Sequence, residues 1–456
     1  MKPYPLTRIS RLLTILLLSS TASNMALAQQ PQQFAFSVQE SVEYAMKNST
    51  QVKNALIGIN LQEQTNREIT AAAYPQISGS GNMVRNLQVP VGVLPGDLMP
   101  GGTPGTFITI PFGTKYNASY GASASQILFD GQVFVGLQAR RASMDYARLN
   151  VEVTEEQIKA NVQKIYYQLV VAKSQIATVD VNIERTKTLL NNTEQLYKNG
   201  FAERLDVDKV NVNLSNLNTE KVKLQNQIEA GYIGLKYLMG MPVQATLVLT
   251  DSLTEQQIKS NVIEEGEFDF NNRKEFQLLK MQEVLNEFNV KRYKYTYIPT
   301  LQFNANYTRN AFRTQFDLLK WGPQYPWYPT SFIGISINVP IFDGFGKDAR
   351  IKRSRFELMQ TRNNIEDTRN NINNEIETAK INIRSAIITM DEQKKNVELA
   401  ERVYNQTKLK YEQGLGSNIE ITTAEGDLKI AQNNYFSALY DAIVAKVDYL
   451  KATGKL

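Results

Sequence analysis

The chain has 456 residues, 42% apolar and 21% charged, enough to build and solvate several domains. It contains neither cysteine nor histidine, which removes disulfides, thiolate and imidazole catalysis, Ser-His-Asp triads and any metal site built on those ligands. Three of the cations behind the net charge of +5, Lys2, Arg8 and Arg11, open the chain without an acidic partner, and the remaining 47 basic and 45 acidic residues nearly balance. Such a balance is no footprint for nucleic acid.

Residues 1–28 read as a signal peptide, with a basic start, an apolar run from Leu12 to Leu18, and Ala26-Leu27-Ala28 as a small-x-small cleavage site. The mature chain is expected to begin at Gln29. The apolar run is far shorter than the roughly 20 residues a spanning helix needs, and no later run reaches that length. An exported chain of this kind is either soluble or crosses a membrane as β-strands.

The rest of the chain repeats itself. Asn48 to Pro75 and Asn272 to Pro299 each span 27 positions and end in Tyr74-Pro75 and Ile298-Pro299. Phe129-Asp130-Gly131 returns as Phe342-Asp343-Gly344, and Tyr197-Lys198-Asn199-Gly200 as Tyr411-Glu412-Gln413-Gly414. The offsets are 224, 213 and 214, so the first copy carries about eleven extra residues, which fall in the Pro/Gly-rich stretch 89–111. Residues 29–245 and 269–456 are therefore expected to be two structural repeats joined by a linker at 246–268. Each is expected to run helix, two strands, long helix, tip, helix, with strands at about 76–128 and 300–341 and tips at 199–203 and 413–418.

After the Gly200 turn, Val207, Val210, Leu214, Leu217, Lys221, Leu224 and Ile228 alternate steps of three and four. Ile421, Ala424, Leu428, Ala431, Tyr435, Ala438 and Ala442 do the same after Gly414. A sustained seven-residue repeat predicts paired, left-handed supercoiled helices, and the helix from about Gly346 to Tyr411 would be about 100 Å long.

Leu301, Phe303, Ala305 and Tyr307 alternate with Gln302, Asn304, Asn306 and Thr308, and Ile333, Ile335, Ile337 and Val339 alternate with Gly334, Ser336 and Asn338. One oily and one wet face suits either an ordinary two-sided sheet or a membrane barrel. Four strands cannot close, and an open edge in lipid is very costly, so a barrel of roughly eight or more strands would require several chains. Asp130 and Asp343 are placed to cap the long helices, and Gly131 and Gly344 to permit a sharp strand-to-helix turn. Trp321, Tyr325, Trp327 and Tyr328 fit a membrane interface or an extracellular loop equally well.

With the duplicated layout, the two Phe-Asp-Gly turns, the Tyr-x-x-Gly tips and the signal peptide together, the chain resembles the outer-membrane efflux proteins of the TolC family over essentially its whole mature length. The resemblance implies a mostly α-helical fold with a transmembrane β part, in which a homotrimer forms one 12-stranded barrel in outer-membrane lipid, continued by a periplasmic helical tunnel. It also implies a passive channel, without enzymatic activity, cofactor or metal, that joins a periplasmic adaptor (membrane fusion protein) and an inner-membrane transporter.

By position, Asp206 and Glu420 match acidic residues of the periplasmic constriction and Tyr411 a gate tyrosine, while Gly200, Phe201, Gly414 and Leu415 match adaptor-facing tips. Gly416 stands where the best-known member has a gate arginine, and Thr423 where it has a second aspartate. Each residue also has a local role available. Ser417 to Glu420 reads as a capping box, Asp206 lies in a first helical turn, and the tip glycines can end helices with a local apolar contact. Three readings compete with drug efflux: a duct for type I protein secretion, a periplasmic adaptor or coiled-coil scaffold, and an exported enzyme using carboxylates alone.

Overall fold

The computed structural model describes residues 33–98, 100–252, 254–260 and 268–456; the expected signal peptide at 1–28 lies outside the described residues. In chain order the elements are β1 (Gln33–Phe36), α1 (Val38–Asn48), α2 (Thr50–Ala71), β2 (Gln76–Arg85), β3 (Val91–Pro95), β4 (Phe107–Pro111), β5 (Tyr116–Phe129), α3 (Gly131–Lys198) and α4 (Arg204–Met239). They continue with β6 (Thr246–Leu249), α5 (Glu255–Lys259), α6 (Lys274–Lys294), β7 (Thr300–Arg313), β8 (Tyr328–Asn338), α7 (Gly346–Glu412) and α8 (Asn418–Ala452). Two compact units result. A strand-bearing unit holds residues 55–152 and 273–371, and a helical unit holds the remainder.

In the strand-bearing unit, β2, β5, β7 and β8 form an antiparallel sheet in that order. Its register sets Ile77 opposite Ala124, Ala124 opposite Ala305, and Ala305 opposite Ile333. Because side chains alternate, this puts Ile77, Ala122, Leu301, Phe303, Ile333, Ile335 and Ile337 on one face, and Ser78, Ser123, Asn304, Asn306 and Ser336 on the other. The polar face bonds across strands, Ser78 Oγ to Ser123 Oγ at 2.8 Å and Asn304 Nδ2 donating to Ser336 Oγ at 2.8 Å. The apolar face stays bare, with Ile333 79% and Ile335 64% exposed. Among the described residues the outer edges of β2 and β8 have no strand partner.

Two separate strands, β4 and β5, occupy the stretch from Phe107 to Phe129. Pro111 has no N–H to continue a ladder, and β4 pairs instead with β3 in a separate hairpin, where Phe112 N–H donates to Pro90 O at 2.9 Å.

At the strand-to-helix turns, Asp130 Oδ1 accepts from Gln132 N–H at 2.8 Å and Asp343 Oδ2 from Lys347 N–H at 2.8 Å. The two glycines differ. Gly344 has a left-handed φ of +65°, whereas Gly131 does not, and is required because a Cβ would lie 2.8 Å from Tyr295 Cβ. Its role is close approach, not turn formation.

In the helical unit, β1 and β6 pair in parallel, Phe36 opposite Leu249, a contact that periodicity does not reveal. They cover a cluster of Ala45, Val52, Ile158, Val162, Leu235 and Met239. Tyr166, fully buried, ties this layer together, its hydroxyl donating to Phe36 O at 3.0 Å and accepting from Asp251 N–H at 3.2 Å. Burial pushes its pKa up to about 12. The short helix α5 between the repeats is docked as well: its Ile258 packs with Met390, Ala438 and Ala442, and Lys259 pairs with Asp391 at 2.6 Å. Along α4 and α8 the buried positions Val207, Val210, Leu217 and Leu224, and Ile421, Ala424, Leu428 and Ala431, step by threes, fours and sevens. The charged member of the first series, Lys221, reaches Asp180 of α3 at 2.6 Å.

Candidate functional site at the helical tips

Both tips lie in the helical unit and share one apolar cluster: Leu189 of α3, Val210 of α4, Tyr404 and Tyr411 of α7, and Ile421, Ala424 and Leu428 of α8. Each hairpin turns by the same backbone device. Gly200 (φ +81°) donates to Tyr197 O at 3.0 Å while Phe201 donates to Leu196 O at 2.8 Å, and Gly414 (φ +72°) donates to Tyr411 O at 3.0 Å while Leu415 donates to Lys410 O at 2.9 Å. This is the Schellman arrangement, in which glycine accepts a left-handed conformation that costs any side chain. Such a motif commonly seats its next residue against the helix. Here Phe201 is 82% and Leu415 78% exposed, so neither apolar side chain is spent on a local contact.

The two acids are used differently. Asp206 caps α4, its Oδ2 accepting from Glu203 N–H at 3.2 Å while the Asp206 N–H donates to Glu203 O at 3.1 Å. At the other tip the expected capping box is only half made. Ser417 Oγ accepts from Glu420 N–H at 3.2 Å, while the exposed Glu420 carboxylate takes no part in the cap. Thr423, one turn later, is also exposed.

Tyr411 is buried between helices, its hydroxyl 3.1 Å from Thr193 Oγ1 of α3. Gly416 packs on the end of α7, where a Cβ would lie 3.1 Å from Tyr411 N. A side chain there would need the adjoining α7 backbone to give by a few tenths of an ångström.

Sequence reasoning missed Glu425. This α8 residue is buried beside a cavity of about 530 Å³, hydrogen-bonded by Thr186 of α3 and by Asn213 Nδ2 of α4 at 2.9 Å. Burial pushes its carboxyl pKa above the ordinary value, against the lowering effects of those two hydrogen bonds and of the Lys429 and Arg185 charges. Arg185 does not pair with it, donating instead to Glu401 Oε1 at 2.8 Å with its guanidinium 5.8 Å from the Tyr404 ring. The available signal was a carboxylate immediately beside the buried position Ala424, but the same pattern marks many solvated helix edges.

The profile of the outer membrane efflux protein family matches residues 42–241 and 280–455. The chain belongs to this family. It is 22% identical over 419 residues to the outer membrane efflux protein BepC of Brucella suis, covering 90% of this chain and 84% of that one. To the outer membrane protein TolC of Vibrio cholerae it is 20% identical over 348 residues, covering 74% and 77%. The Campylobacter jejuni CmeC outer membrane channel has the same fold, with a TM-score of 0.70 at 17% identity over 92% of this chain and 85% of that one. So does the open state of the Neisseria gonorrhoeae MtrE channel, with 0.67 at 13% over 91% and 88%. This efflux-family member is thus a TolC-like protein of the outer membrane, from a family of channels and not of enzymes.

Proposed function

We propose that the protein is the passive outer-membrane exit channel of a tripartite efflux system. Three copies each contribute β2, β5, β7 and β8 to one 12-stranded barrel, and the helical tips meet a periplasmic adaptor that couples the channel to an inner-membrane transporter. The observation that carries this reading is the sheet, with its exposed apolar face, its polar opposite face and two edges that have no strand partner among the described residues. In water such a sheet would aggregate; closed with other copies in lipid, it has no edge left. Phe201 and Leu415 form the adaptor contact with Gly200 and Gly414, while Glu420, with Asp206 and Tyr411 behind it, sets the charge at the constriction.

Replacing Phe201 and Leu415 by Asp should abolish resistance to toxic compounds in a complemented deletion strain while leaving the oligomer intact on a non-denaturing gel. Unchanged resistance in the double variant contradicts the docking role. A deletion that leaves resistance unchanged but empties the medium of a secreted polypeptide assigns the channel to type I secretion.

A further inference from the structure

The strand ends remote from the helices carry a second concentration of chemistry. Across 76–128 and 300–341 there are five basic residues, Arg85, Lys115, Arg309, Arg313 and Lys320, against two acids, Asp97 and Asp317. All five lie in the last turns of strand or in the adjoining loops at that end.

The register places Arg85 opposite Tyr116, Tyr116 opposite Arg313, and Tyr120 opposite Arg309. These residues share the face of Ile333, Ile335 and Ile337. The loop 314–327 folds back onto that same face, burying Leu318 against Ala118 and Ala311. Trp327 meets Tyr120 edge-on at 4.9 Å, and Trp321 stacks on Trp327 at 5.5 Å. Arg313 secures the loop, donating to Pro326 O at 2.9 Å with Nε 3.3 Å from Asp317 Oδ1.

That pairing uses Asp317, and the other acid, Asp97, accepts from Gly105 N–H at 3.2 Å within the β3–β4 connection. The other cations are held over aromatic rings or phenols: Arg85 is 5.8 Å and Lys115 6.0 Å from the Tyr116 centroid, Lys320 is 5.6 Å from that of Tyr325, and Arg309 Nε donates to Tyr307 Oη at 2.9 Å. No ion pair neutralises these four among the described residues. Amphipathic rings settle at headgroup depth, and long basic side chains beside them attract anionic headgroups.

We propose that this rim binds the phosphate of an outer-leaflet lipid headgroup, with Arg85, Lys115, Arg309 and Lys320 as its cations and Trp321 and Trp327 at the level of the headgroup. The proposal resolves the choice for the aromatic cluster in favour of the membrane interface, and it rests on the barrel reading. The two can be tested separately, because Trp321 and Trp327 are the only tryptophans in the chain and emission therefore reports on this rim alone.

In vesicles of dibromo-acyl phosphatidylcholine, the reconstituted protein should show quenched tryptophan emission; unquenched emission overturns the lipid-facing assignment itself. Native mass spectrometry of detergent-extracted protein with diphosphoryl lipid A should then show retained lipid. Retention should fall at least tenfold with dephosphorylated lipid A, and likewise in the R85Q/K115Q/R309Q/K320Q variant, whose folding is checked by unchanged emission and oligomer mass. Normal quenching with equal retention of both lipids, or with retention unaffected in the variant, overturns the phosphate site and leaves the barrel standing.

Discussion

The two tips descend from one pattern and have diverged in one respect. Gly200 and Gly414 turn the chain by the same two backbone bonds, and Phe201 and Leu415 project equally bare side chains. The acids part company: Asp206 is tied to the Glu203 backbone, while the Glu420 carboxylate stays exposed because Ser417 does the capping. Glu425, moreover, has Asn211 at the corresponding place 214 positions earlier. Backbone geometry is kept where a turn admits one solution, and charge drifts where a cap can be built from several residues.

The largest effect expected from this difference is on ion selectivity. Glu420→Gln should reduce the cation-over-anion permeability of the reconstituted channel several-fold, and Asp206→Asn should change it much less; reversal potentials in planar bilayers under a salt gradient provide the test. Equal effects would erase the distinction between the tips. Screening should weaken both at high salt.

A second contrast concerns pH. Burial raises the folded-state pKa of Glu425, so its contribution to stability is fully present below the ordinary carboxylate value and is lost as pH rises through the raised one. Glu425→Gln, which imitates the protonated form, should therefore flatten this part of the pH dependence and stabilise the protein at neutral pH. Glu40, held below its ordinary value by Ser37, acts in the opposite sense and only on the acid side. Comparing thermal unfolding of parent and Gln variant from the ordinary carboxylate pKa up to neutral pH reads the Glu425 effect; a Gln variant less stable than the parent at neutral pH would refute it.

The smallest effects are on the turns and caps. Gly200→Ala and Gly414→Ala should each cost about 1 kcal/mol, since both residues are left-handed. Asp206→Ala should cost about 0.5–1 kcal/mol through its cap, and Glu420→Ala close to none. Denaturant titration followed by helical circular dichroism checks the order.

Much of the fold was legible because its signals are periodic: alternation over Leu301 to Tyr307, heptads after each tip, and glycine where a helix must stop. The β1–β6 pair was not, since two four-residue strands about 210 positions apart, each with only three apolar residues, carry no turn to announce them. Pro111 marks where the stretch 107–128 breaks, but only the pairing with β3 shows why. The cap at Asp206 was hidden by its partner, Glu203, an uncommon N-cap residue. Glu425 was hidden by its place at the edge of an apolar stripe, where burial depends on what three other helices bring to it.

In the proposed channel, four strands whose β2 and β8 edges have no strand partner among the described residues make one third of a barrel. Single-particle imaging of the protein extracted from outer membranes tests it most directly. A three-fold closed tube well over 100 Å long is expected, as the helix rise requires. A monomer, or an assembly in which β2 and β8 remain unpaired, would contradict it.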